Sequence, residues 1–247
     1  MSPESLVLIA VALGAGAIVK GATGMGLPLI AVPALAASFG VPHALAIMTV
    51  PILVTNIWQI WRYRAHIRGI SFLRGFIVTG GLGIMTGTWL LTAVPERSLS
   101  LALGLLILAY FGLRIAKPDM HLGEAAGRGL APAVGLVAGT LQGATGISAP
   151  IAATYVHAMH LERETHVVAV SAIFLLFAVT QLPALTIAGV LTWERFVEGL
   201  FALIPVVTLM PLGTRLLRLM SRKNFDRTIL ALLLLMAGKL IVDALSA

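Results

Sequence analysis

Apolar stretches approaching twenty residues follow one another from end to end of this chain, and sequence of that kind has few places to fold other than a lipid bilayer. Of its 247 residues, 59% are hydrophobic and 11% charged, and its mean hydropathy is +1.00. A soluble domain carries roughly 25% charged residues. The stretches run Leu6–Phe39, Ala44–Trp61, Phe72–Val94 and Leu99–Ile115, then Leu130–Met159, Val167–Val190, Phe196–Leu217 and Phe225–Leu245. They predict an all-α polytopic membrane protein. The short alternating strands of a β-barrel are missing, and no polar segment is long enough for a separate soluble domain. Leu6–Val19 has the apolar character of a signal peptide, but Glu4 stands where a positive n-region belongs, so the segment is expected to be retained. The sequence has no cysteine, which excludes disulfides, thiolate metal sites and cysteine nucleophiles.

Two of the stretches are broken by one repeated motif. Lys20-Gly21-Ala22-Thr23-Gly24-Met25-Gly26-Leu27-Pro28 returns 122 positions later as Gln142-Gly143-Ala144-Thr145-Gly146-Ile147-Ser148-Ala149-Pro150. Gln59 and Gln181 keep that offset, while Gly87-Thr88 with Gly213-Thr214, and Gly112 with Gly238, follow at 126. This order of landmarks predicts an internal duplication within a single membrane domain, with residues 1–124 and 125–247 as its repeats. Gly/Pro-broken segments at matching places in two halves point to the substrate site of a transporter.

The net charge of +7 does not call for a nucleic-acid partner, because basic residues of membrane proteins collect in cytoplasmic loops. Here they gather as Arg62, Arg64, Arg68 and Arg74, as Arg114, Lys117 and Arg128, and as Arg215, Arg218, Arg222, Lys223 and Arg227. The surroundings of Arg97 and of Glu194-Arg195-Glu198 are poor in positive charge. If the basic groups are cytoplasmic, both termini lie outside. Ala44–Trp61 then runs inward, so 6–39 must enter and leave on one face, as a hairpin of two short helices meeting near Lys20–Gly26. The same reasoning makes 130–159 a hairpin entered from the cytoplasm, with its interruption at Gln142–Gly146. Each repeat becomes a broken, re-entrant helical hairpin plus three transmembrane helices, an odd count of crossings that inverts the second repeat.

The expected chemistry follows from the interruptions. Thr23 and Thr145 are candidate caps for the second short helix of each hairpin, with Pro28 and Pro150 just inside it. Helix starts at that depth carry unpaired N–H groups and partial positive charge, so converging starts would hold an anion. Gly21, Gly24, Gly26, Gly143 and Gly146 would allow close approach of backbone to that ligand. Lys20 is read either as its counter-charge or as a lysine snorkelling to an interface, and its counterpart Gln142 is neutral. Asn56, Gln59 and Gln181, with the hydroxyl of Ser148, either bind oxyanion oxygens or link helices. No carboxylate is expected deep in a crossing. His157 and His160, three apart, with His166, Glu162 and Glu164, fall at a helix end and are not expected to hold a metal. Lys239 and Asp243, four apart, are expected to pair.

Paired glycine-rich interruptions ending in proline, at Gly21–Pro28 and Gly143–Pro150, followed by helices ending at Gly112 and Gly238, resemble the sulfite exporter TauE/SafE family (the 4-toluene sulfonate uptake permease family) over essentially the whole chain. The resemblance implies a multi-pass transporter of the bacterial or archaeal plasma membrane. It also implies a small sulfur-containing anionic substrate such as sulfite, thiosulfate, a sulfonate or sulfoacetate.

The expected function is therefore secondary transport by alternating access, not enzymatic catalysis, with no cofactor. The substrate would sit at Lys20, Gly21, Thr23, Gly24, Gly26, Asn56, Gln59, Gln142, Gly143, Thr145, Gly146, Ser148 and Gln181. Lipid surrounds the protein, and a coupling ion, if used, would be a proton. An anion channel of the same architecture is the first alternative. An intramembrane hydrolase with Ser148 as nucleophile and one of the three histidines as base is the second.

Overall fold

The computed structural model describes residues 3–24, 26–67, 70–116, 120–219 and 222–246. Met25, Arg68 and Lys117, and the side chains of Arg114, Thr214, Arg218, Arg222 and Lys223, lie outside what is described. The chain forms eleven α-helices among the described residues: α1 (Pro3–Thr23), α2 (Leu27–Phe39), α3 (Val41–Arg62), α4 (Leu73–Ala93), α5 (Glu96–Ala116), α6 (Glu124–Thr145), α7 (Ala149–Ala158), α8 (Arg163–Ile187), α9 (Trp193–Phe201), α10 (Leu203–Leu219) and α11 (Arg222–Ser246). Among the described residues, seven spans are long and apolar enough to cross a membrane: α1, α3, α4, α5, α8, α9 with most of α10, and α11. The protein is a multi-spanning, all-α membrane protein. Its outer surface fits lipid, with Val7, Val78, Met85, Trp89, Trp193 and Leu235 all largely exposed.

Both interrupted stretches are broken, but later than the sequence suggested. Lys20 to Thr23 and Gln142 to Thr145 stay helical as the last turns of α1 and α6. The reason is local: the Gly24 N–H donates to the Lys20 carbonyl and the Gly146 N–H to the Gln142 carbonyl, both at 2.8 Å. The helices then stop at glycines in the left-handed region, Gly24 at φ 81° and Gly146 at φ 73°, where a side chain would be strained. After the first break the chain turns back on itself, so that Gly16 of α1 lies against Leu27 and Ala31 of α2. With 21 residues, α1 is also long enough to cross alone, where a short arm was expected.

Packing partners are exchanged between the halves. α4 lies along α6, and α1 along α10. α3 packs on α8, and α5 on α11. Along the α4–α6 seam the backbones nearly touch. A Cβ at Gly83, Gly87, Gly135, Gly139 or Gly143 would run into the carbonyl of, respectively, Leu136, Thr140, Phe76, Gly80 or Ile84. The same close approach recurs on the α1–α10 seam, between Gly21 and Met210 and between Gly213 and Ile18. Small residues four apart let helices approach this closely in lipid, where apolar burial gives no advantage over lipid contact. Gly83 and Gly87, four residues apart on α4, are one part of this longer seam.

Candidate functional site

Most of the buried polar side chains gather at the two breaks. In the last turn of α1, Lys20 is 3% exposed, and its ammonium donates to Asn56 Oδ1 of α3 at 2.8 Å. Asn56 is held by its own amide, which donates to the Ile52 carbonyl at 2.8 Å. One turn further along α3, Gln59 Nε2 donates to the Gly24 carbonyl at 3.0 Å, so the freed backbone of the first break is met by a side-chain amide. Its Oε1 accepts from Ser171 Oγ of α8 at 3.0 Å.

Among the described residues no carboxylate pairs with Lys20, and Asn56 is its one hydrogen-bond partner. An ammonium has three N–H donors. Keeping a cation at bilayer depth costs about 2.5–3.5 kcal/mol on insertion scales, so a neutral amide is thin compensation. The group is a net donor in search of an acceptor.

The second break repeats the plan without the charge. Ser148 Oγ donates to Gln142 Oε1 at 2.9 Å, and Gln181 Nε2 of α8 donates to the Gln142 carbonyl at 3.2 Å. Gln142 Nε2 has only a 3.5 Å contact, with Gln181 Oε1. Gln59 and Gln181, at equivalent places in the duplication, each support backbone at or just before a break.

The threonines do not cap the second helices. Thr23 and Thr145 donate to the carbonyls four residues back, of Val19 at 2.9 Å and Leu141 at 2.7 Å. Each therefore finishes the helix it belongs to. The N-cap positions are Gly26 and Ser148, neither with a side-chain cap bond. Both α2 and α7 thus start with backbone donors that no side chain covers, each with a proline in its first turn. Such starts favour anions.

The two breaks do not share a level. Gly24 is tied to Gln59, whereas Gly146 lies under Leu45 and Val32. Those α3 anchors are fourteen residues apart, about 21 Å of helix axis. Access differs as well: Thr23 is exposed and Gly24 partly so, while Gln142 to Pro150 are buried throughout. Of the residues expected to share one site, Lys20, Gly24, Asn56 and Gln59 meet at the first break. Gln142, Thr145, Ser148 and Gln181 meet at the second. Gly21 and Gly143 serve the two seams.

Three groups escaped the sequence reading. Ser171 looked like any helix serine. Thr88 Oγ1 is the one fully buried side-chain polar atom without a partner among the described residues. Glu198, near the start of α9, is 8% exposed and bonded to His43 Nε2 near the start of α3 at 2.5 Å. A glutamate near a helix start reads as an interface residue, and only packing against α3 buries it.

His157 and His160 do not share a helical face, because α7 ends at Ala158 and His160 lies beyond it at φ 49°. His121 joins them, its Nδ1 3.0 Å from that of His160. No group of three potential metal ligands forms among the described residues. Lys239 and Asp243 pair at 2.5 Å. Ser148 has Gln142, not a histidine, as its partner, and α7 puts about 13 Å between it and His157, so no base stands within reach.

Searches of curated proteins and of solved structures return no match. A family model described as Sulfite exporter TauE/SafE matches residues 8–240, nearly the whole chain. That family is one of transporters rather than enzymes, and the helical membrane fold with its two polar breaks agrees: the chain belongs to the sulfite exporter TauE/SafE family.

Proposed function

We propose that this protein is a secondary transporter of a small sulfur-containing anion of the sulfite, thiosulfate, sulfonate or sulfoacetate type, in a bacterial or archaeal plasma membrane. The observation that carries the proposal is Lys20, a buried cation beside a helix break, paired with an amide rather than a carboxylate. An oxyanion arriving there finds a full positive charge, spare ammonium N–H groups and the uncapped start of α2. Sulfur is taken from the family description, since the donors alone suit any small oxyanion.

Alternating access rests on the duplication. We take the halves to be inverted repeats with re-entrant hairpins at 6–39 and 130–159. The exchange of packing partners supports this, since α1 with α10 and α6 with α4 are equivalent pairs under the sequence offset. Helix length supports it too: α2 has 13 residues, about 20 Å, too short to recross a hydrocarbon core of about 30 Å, yet α3 starts directly after Gly40.

The test is counterflow in proteoliposomes with sulfite, thiosulfate, sulfoacetate and an aryl sulfonate. Saturable exchange of at least one of them is expected, reduced tenfold or more in Lys20→Met with membrane insertion intact. Non-saturating anion conductance would make the protein a channel. Unchanged exchange in the variant would remove Lys20 from the site.

A further inference from the structure

We infer that the second break is an anion-binding station of its own, neutral in charge, with Thr88 as one of its ligands, so that the chain holds two anions at once. The inference rests on the transport reading above.

It starts from distance. Ser171 marks the first polar cluster on α8 and Gln181 the second, ten residues on, about 15 Å of axis. Phe174 and Phe177 lie between them on α8, and both are buried. A small oxyanion a few ångströms across cannot touch both clusters. Either one is purely structural, or each binds.

The second cluster has the attributes of a site. Gln142 Nε2 makes only a 3.5 Å contact, and the start of α7 has no side-chain cap because Ser148 Oγ is turned to Gln142. Thr88 adds an independent sign. It is 4% exposed, its Oγ1 has no partner, and it occupies the α4 turn whose backbone lies against Gly143, five residues before Ser148. The usual outlet for a helical threonine, the carbonyl four residues back, is that of Ile84, which the Gly143 contact already crowds. α4 also runs along α8, with Gly80 against Phe177 and Gly81 near Thr180. Two turns further on, this register carries Thr88 to about the level of Leu185, roughly a turn past Gln181. A hydroxyl buried without a partner on the α4 turn that lies against Gly143 is a donor kept for something that comes and goes.

The first station binds by charge and is partly open. The second binds by neutral hydrogen bonds and is closed over by Leu45 and Val32.

The experiment is equilibrium binding to the purified full chain in nanodiscs. The probe is the radiolabelled member of sulfite, thiosulfate and sulfoacetate that binds best. Two anions per chain are expected in the wild type, one in Thr88→Val, one in Lys20→Met and two in Thr88→Ser, with folding checked by size exclusion. A single anion in the wild type, or two in Thr88→Val, overturns the second station and leaves the transport reading standing. No saturable binding of any of the three overturns both.

Discussion

Lys20 and Gln142 occupy matching places, one turn ahead of matching breaks, and differ by a full charge. That difference makes the two breaks chemically unequal although their backbone plans agree. The glutamines repeat more faithfully. Gln59 supplies a donor to the Gly24 carbonyl and an acceptor to the Ser171 hydroxyl, so it satisfies two buried groups at once. Gln59→Leu should strand both, at about 1–3 kcal/mol for each unsatisfied group. A thermal unfolding midpoint in detergent that does not fall would remove Gln59 from that role. The amide at Gln59 was visible in the sequence because it recurs at Gln181. Ser171 was not, because a lone serine on an apolar helix carries no periodic signal.

The glycine seams decide how helices approach. On α4 and α6 the contacts are backbone to backbone over three turns, so a side chain placed there has nowhere to go. Gly139→Leu should drive α6 off the Gly80 carbonyl and reduce the yield of folded protein several-fold. Gly112→Leu, with open space around its Cβ position, should be tolerated. Fluorescence-detected size exclusion of the two variants distinguishes these outcomes, and equal yields would count against a tight seam. Helix positions were legible from apolar runs and Gly/Pro punctuation, and both breaks fell within a few residues of their expected places. The first-turn prolines of α2 and α7 stood out for the same reason. What could not be read was the length of α1 and α6 beyond Lys20 and Gln142, because glycine and threonine extend a helix when backbone partners are at hand. Nor could the level of the breaks be read. Level depends on which helix each break lies against, and that is long-range packing with no local trace.

Charge sets how the molecule sits across the bilayer. Basic residues gather after α3, between α5 and α6, and around the junction of α10 and α11. With those ends cytoplasmic, both termini face outward, and the His43–Glu198 pair, which joins α3 to α9, lies toward the outer side. Tags at residue 1 or residue 247 should then react with an impermeant reagent on intact cells. Labelling only after lysis at both ends would reverse the orientation.

The crossed partnership of α1 with α10 and α6 with α4 has a mechanical consequence. Like two people each holding the other's wrist, neither half can lean without pulling its neighbour along. Tilting is therefore shared, and an injury to one grip should slow events at the far mouth of the pathway as much as at its own.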